Sequence, residues 1–326
     1  MSIATSAAPA LPPRPLPTPM FAPQSLQRTN GGARARLLLD AREPLLADHR
    51  PGGVPLLPTA MCLEALASGC ALLRPGESLE ALDVEVGPPC LVTKDSTTTA
   101  WLLLEGPAST DGGLTASLCS GPTQGPGTVH LRARFMPLEP GLAGGLPDAA
   151  ALDASRLATP IPGSLVYRQF FHGPAYQVVG SVGWQGARLV ARLAPGLPPL
   201  RHGEEAADAA SHSGRTVLAP RLLELALQSA GMLEIARSGR SMIPHAMGRV
   251  QHLLPLDEYS GIPMLAIARA GEADAIDIDV CTGDGRCALR VRGYRTAPLP
   301  FASDARSLAA LTTALRSGRE SRIHGA

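Results

Sequence analysis

The chain has 326 residues, with 29 basic and 28 acidic side chains and a net charge of +1. That balance, with no basic patch and only 3% aromatic residues, argues against a nucleic-acid partner. No uninterrupted apolar run is long enough to span a membrane, and the length suits one large domain or two ordinary ones.

Residues 1–32 are rich in alanine and proline (Pro12-Pro13-Arg14-Pro15-Leu16-Pro17) and read as a disordered leader. The leader lacks the basic start and apolar core of a secretion signal, so a cytoplasmic location is expected. Beginning with Met and carrying its own leader and tail, the chain reads as a free-standing protein acting in trans, a piece excised from a longer protein being the alternative. The first unit, 33–140, opens with a strand at Ala33–Asp40. Pro44–Asp48 leads into His49-Arg50-Pro51-Gly52-Gly53-Val54-Pro55-Leu56-Leu57-Pro58. Thr59–Leu73 follows as an apolar helix buried on most sides. Short β-favouring runs come next, at Leu79–Val86, Cys90–Lys94, Thr97–Glu105, Leu114–Leu118 and Thr128–Met136.

Residues 141–162 read as a Gly/Ala/Pro linker. The second unit, 163–300, repeats the pattern. Tyr167–Phe171 leads to His172-Gly173-Pro174-Ala175-Tyr176, and a hairpin turns at Gln185-Gly186. Residues 197–215 read as a polar surface loop, and Ala219 to about Arg237 as a second apolar helix. Strands are expected at Gly248–Leu253, Met264–Ala268, Ile276–Cys281 and Ala288–Tyr294. Residues 301–326 read as a polar tail with room for a short helix. Helix-then-strands, twice, predicts an α+β fold with the two sheets joined edge to edge.

Three features carry chemistry. His49 lies in a Pro/Gly loop feeding a helix start, where free N–H groups can polarise a carbonyl oxygen; an ordinary surface-loop histidine fits the same pattern. Glu224 and Gln228 stand at i and i+4 in an apolar helix. A buried Glu224 would have a raised pKa and suit a general acid; a partly exposed polar face is the alternative. His172-Gly173-Pro174 is either a plain turn or a rigid channel wall backed by an aromatic. The six cysteines (Cys62, Cys70, Cys90, Cys119, Cys281, Cys287) form no metal-binding spacing and read as reduced thiols.

Taken together, these motifs resemble the dehydratase domains of modular polyketide synthases and polyunsaturated fatty acid synthases. His49 to Pro58 matches the family's His-x-x-x-Gly-x-x-x-x-Pro signature, Gly173 to Tyr176 its Gly-Pro-x-aromatic motif, and Leu222 to Gln228 its Asp-x-x-x-Gln segment. Leu289 to Arg295 resembles its last strand. The resemblance implies a double hotdog: two antiparallel sheets, each wrapped round a long central helix. It implies dehydration of a 3-hydroxyacyl thioester, with neutral His49 as base and protonated Glu224 as acid. Gln228 would orient Glu224, and N–H groups near Gly53 and Pro58 would hold the thioester carbonyl. Tyr167, His172, Gly173, Pro174 and Tyr176 would line or support the substrate site. The partner implied is an acyl carrier protein or synthase module presenting substrate on phosphopantetheine. No cofactor of its own and no metal are implied, and homodimerisation is compatible with the family.

Two departures stand out. Glu224 replaces the family's aspartate and reaches one methylene farther. Phe170 and His172 stand where tyrosines are usual, leaving Tyr167 as the candidate hydroxyl donor to substrate. Double-bond isomerisation, cyclisation, and a non-catalytic acyl-binding scaffold are the alternative readings.

Overall fold

The computed structural model describes residues 26–93, 97–106, 112–121, 127–139, 158–200, 216–255, 258–259, 261–299 and 304–320. Strand β2 (Gly32–Asp40) shows why the sheet forms. Ala33, Ala35, Leu37 and Leu39 are buried while the intervening residues face outward, a period of two that suits a sheet with one covered face. The covering element is helix α2 (Thr59–Leu73), in which every residue from Ala60 to Ala71 is buried. A helix apolar all round has to be enclosed. Gly69 lets α2 approach the sheet closely, since a Cβ there would lie 3.1 Å from the Leu104 side chain.

The first half adds β3 (Leu79–Val86), β4 (Thr97–Glu105), β5 (Leu114–Ser120) and β6 (Thr128–Pro137). The second half has β8 (Val179–Gln185), β9 (Arg188–Leu193), helix α4 (Pro220–Ser238), β10 (Met242–His252), β11 (Met264–Ala270), β12 (Ile276–Thr282) and β13 (Cys287–Pro298). With β1 (Gln27–Thr29) and β7 (Ala158–Pro162), they form one antiparallel sheet in the order β1-β2-β4-β5-β6-β3-β10-β13-β12-β11-β9-β8-β7. The order β2-β4-β5-β6-β3 is answered in mirror sequence by β10-β13-β12-β11-β9. The first strand after each helix, β3 and β10, pair with each other at the centre, Ala81 opposite Val250. Each half thus closes the other's open edge.

Several expectations need correction. The leader yields to structure earlier than expected: β1 lies within it and pairs with β2. Residues 1–25 of the leader, 141–157 of the linker and 201–215 of the loop lie outside the described residues. The linker's last residues are β7, an edge strand on β8. Cys90–Val92 is not a strand; Leu91 makes one isolated bridge to Leu56, because this segment braces the His49 loop instead. The tail contains helix α5 (Ala305–Glu320), preceded by short helix α1 (Pro44–Ala47) and α3 (Gly163–Val166) earlier in the chain. Leu311 and Leu315 are fully buried. The Trp184 indole donates to Leu315 O at 2.7 Å, and Arg316 Nε donates to Ala236 O at 2.9 Å in the last turn of α4, where carbonyls lack helical partners.

Glu64, on α2, joins the halves. It is 2% exposed and accepts Val217 N–H at 2.7 Å, Leu218 N–H at 2.8 Å and the Ser68 hydroxyl at 3.2 Å. The two N–H donors lie just before α4, and Ser68 lies one turn on in α2 itself. Glu64→Leu would leave two buried N–H groups unpaired and is expected to cost roughly 2–6 kcal/mol in urea unfolding. Burial pushes the Glu64 carboxyl up to about 7 against its three hydrogen bonds. A raised folded-state pKa means the folded chain holds this proton longer than the unfolded chain. Stability is therefore expected to fall between pH 4.5 and 7 by on the order of 3 kcal/mol from this residue. Glu64→Gln should abolish that slope, as measured by melting across the range.

Candidate active site

The His49 loop is built to present one ring nitrogen. After α1, Pro51–Gly53 makes a 3₁₀ turn with Gly52 at φ 64° and Gly53 at φ 84°, a backbone region that favours glycine. The loop then folds back. Leu56 N–H donates to His49 O at 3.1 Å, and His49 Nδ1 lies 3.1 Å from Leu56 O. A carbonyl can only accept, so Nδ1 carries the proton and Nε2 keeps its lone pair. His49 is buried. That burial, aided by the nearby charge of His172, pushes its pKa down to about 3, against the opposing pull of Glu224 and the Leu56 carbonyl. His49 is therefore neutral at ordinary pH.

The second half clamps this loop. The backbones of His49 and His172 form an antiparallel bridge. Gly173 N–H donates to Asp48 O at 2.7 Å, and Ala175 N–H donates to the Asp48 carboxylate at 2.8 Å. A Cβ on Gly173 would lie 2.5 Å from Asp48 Oδ1, which is why glycine stands there. Gly173→Ala is expected to cost about 1–3 kcal/mol, read as a loss of unfolding free energy.

Glu224 comes from α4. Leu227, Gln228, Gly231 and Ile235 share its helical face and line the same cavity, of about 210 Å³, as His49 and His172. Glu224 Oε1 is 3.2 Å from His172 Nε2 and accepts Gln228 Nε2 at 3.0 Å. Gln228 is held in turn: its Nε2 also donates to Tyr176 O at 2.9 Å, and its Oε1 accepts the Tyr167 hydroxyl at 2.8 Å.

The expectation of a raised Glu224 pKa is overturned. Burial, the largest single influence, does push it up. The hydrogen bond and charge of His172, then the influence of His49 and the Gln228 bond, together outweigh burial and leave the carboxyl below its ordinary range. The reason is a neighbour on another element, which the pattern of α4 does not contain.

The other expected residues divide. Tyr167 is not a substrate contact, because its hydroxyl donates to Gln228 and accepts Val179 N–H at 2.7 Å. Gly53 lies off the cavity lining, and its N–H donates to Arg50 O at 3.0 Å, so it shapes the turn and is not a carbonyl donor. Pro58 is the N-cap of α2, and Thr59 beyond it lines the cavity. Gly173 and Pro174 do not form the channel wall; they sit behind it, and Phe170, Phe171 and His172 form it. Tyr176 is buried, donating its hydroxyl to Leu45 O at 3.0 Å. Cavity residues with no sequence signal include Met242, Ile243 and Leu299, brought in by β10 and the chain after β13.

Residues 147–306 match the family model described as the polyketide synthase dehydratase N-terminal domain. That match covers just under half of the chain, and the comparisons together support a polyketide synthase dehydratase domain. Polyketide synthase ThaG of Burkholderia thailandensis is 28% identical in an alignment covering 86% of this chain and 5% of that protein, so the chain spans a small fraction of that curated relative. A trans-AT polyketide synthase dehydratase domain from Brevibacillus brevis superposes with a TM-score of 0.69 at 18% identity, covering 86% of this chain and 100% of the other. An inactive aspartate-to-asparagine mutant of CurK dehydratase gives a TM-score of 0.69 at 16% identity, covering 88% and 100%. The fold is the double hotdog of these dehydratase domains. The match to the dehydratase family model supports a hydro-lyase role in general, in a polyketide synthase setting. Among the described residues no helix is long and apolar enough to cross a membrane.

Proposed function

We propose that this dehydratase-family chain removes water from a 3-hydroxyacyl thioester delivered on the phosphopantetheine arm of an acyl carrier protein. The observation that carries the reading is the pairing, in one apolar cavity, of a neutral histidine whose Nε2 is a free lone pair with a carboxyl group from the opposite half. His49 Nε2 takes the α-proton, and Glu224 serves the departing β-hydroxyl. Both bonds that fix Glu224 fall on Oε1, which leaves Oε2 for the substrate. Backbone N–H groups in the first turn of α2, beginning at Thr59, polarise the thioester carbonyl. The apolar lining excludes water and accepts the acyl chain. No cofactor is required for these steps. In support, CurK dehydratase is also solved as an inactive histidine-to-phenylalanine mutant, the counterpart of its inactive aspartate mutant.

The test is mass spectrometry of 3-hydroxyacyl thioesters of several chain lengths, loaded on a carrier protein and incubated in D₂O. Loss of 18 Da, with the wild-type protein only, is the expected result. Deuterium entering the α-carbon without water loss would instead favour an isomerase or cyclase. Complete inertness would sink the enzymatic reading in favour of an acyl-binding scaffold.

A further inference from the structure

Resting on that reading, we infer that His172 is the proton store of the acid: His172 and Glu224 hold one proton between them, and Glu224 passes it to the leaving hydroxyl. The argument starts from the cost of an isolated buried charge. Glu224 and His172 side chains are 6% and 9% exposed, at 3.2 Å from each other. A lone carboxylate in an apolar cavity is heavily penalised, whereas a pair carrying one proton is neutral overall.

Among the described residues, the basic groups that act on the Glu224 carboxylate are His172, in direct contact, and His49. From α4 it meets Gln228, which is neutral. Arg221, on the same helix, directs Nη2 to Pro198 O. The tyrosines around the pair are Tyr167 after α3, Tyr176 in the 3₁₀ turn and Tyr294 on β13, all driven above their ordinary range, burial being the leading cause, and hence uncharged. His49, from the opposite loop, has its ring centroid 5.3 Å from that of His172, and its Nδ1 proton is committed to Leu56. His172 is thus the one basic group in contact with Glu224 among the described residues.

The ring itself has a single outlet. His172 Nδ1 is buried with no hydrogen-bond partner, and the ring is stacked on Phe171 at 4.5 Å between centroids. Proton exchange therefore runs through Nε2 to Glu224. During the reaction the Cα–H bond breaks to His49 Nε2 and its electron pair forms the Cα–Cβ double bond. The Cβ–O bond breaks as the oxygen takes the proton from Glu224, which has received it from His172 Nε2. Enoyl thioester and water result, with His49 protonated and His172 neutral; one proton returned from His49 through the released water and Glu224 to His172 Nε2 resets the site.

Two measurements test this. The first is ¹⁵N-histidine NMR of the resting protein, which needs no substrate. An imidazolium assigned to His172 is expected at pH 7, becoming neutral in Glu224→Gln. A neutral His172 in the wild type, with a spectrum unaffected by Glu224→Gln, would overturn the inference whether or not the protein proves to be a dehydratase. The second is the pH profile of kcat for His172→Phe and the polar variant His172→Tyr, with melting checked for both. Each should lose at least tenfold in kcat at pH 8 with KM changed less than threefold. Acidification should restore part of the loss, because without His172 the burial of Glu224 favours its protonated form. A merely structural role predicts an equal loss at every pH, and wild-type kcat in both variants would also refute the proton store.

Discussion

Replacing His49 with asparagine is expected to lower kcat for water loss by about 10²–10⁴-fold while leaving KM within a few-fold. Asparagine can still donate to Leu56 O, so the loop closed by that bond and by Leu56 N–H is kept. What it lacks is the basic lone pair of Nε2. Steady-state kinetics on a carrier-bound 3-hydroxyacyl thioester, with α-deuterium exchange followed in parallel, check this: both should fall together. Exchange at the wild-type rate in the variant would remove His49 from the role of base. The same substitution has a signature in stability. His49 has its pKa depressed from 6.5 to about 3, so the unfolded chain binds a proton in a range where the folded chain does not. Stability from this residue is full above pH 6.5 and is lost as pH falls toward 3, by on the order of 5 kcal/mol. His49→Asn should flatten the acid side of the melting profile. An unchanged slope would show that the histidine is not held neutral by the fold.

The second large effect concerns Glu224. Glu224→Gln keeps the volume and cannot release a proton, so kcat for dehydration is expected to fall about 10²–10⁴-fold. Because His49 is untouched, α-deuterium exchange should persist, separating the two half-reactions in one mass-spectrometric run. Glu224→Asp is the more discriminating change. It restores the residue type usual in the family, but the carboxyl retreats by one methylene from His172 Nε2 and Gln228 Nε2, now at 3.2 and 3.0 Å. A displacement of about 1 Å costs on the order of a hundredfold. A comparable loss of kcat is therefore expected for Glu224→Asp. Full activity would mean that α4 and the His172 segment shift to follow the shorter side chain, and that this site is not fitted to glutamate.

The two buried glutamates mark how far the sequence could be read. Glu64 and Glu224 each lie in an apolar helix with a hydrogen-bonding residue four positions on, Ser68 and Gln228. Helix pattern leaves Glu224 open between a buried acid and a partly exposed polar face, and says nothing about what either glutamate will meet. In the folded chain Glu64 meets the backbone of Val217 and Leu218 and ties the halves together, whereas Glu224 meets a cavity and a histidine. Their carboxyls consequently shift in opposite directions, up for Glu64 and down for Glu224.

Local signals determined much of the architecture by themselves. The helix at Thr59–Leu73 and the strands at Thr97–Glu105 and Arg188–Leu193 have the bounds that their patterns imply, because periodicity and turn residues act over a few positions. The order of His49, Gly173-Pro174 and Glu224 along the chain was enough to mark the family resemblance. Contacts between halves decided the rest. Tyr167 was drawn off to Gln228 and Val179, Gly173 was fixed by Asp48, and the residues 305–320 became a helix because Trp184 and the end of α4 supplied partners. Each of these depends on a partner far away in the chain, and a pattern that spans only neighbouring residues does not carry it. The charge state of the site belongs to the same class: whether Glu224 keeps its proton is set by His172, 52 residues earlier and 3.2 Å away.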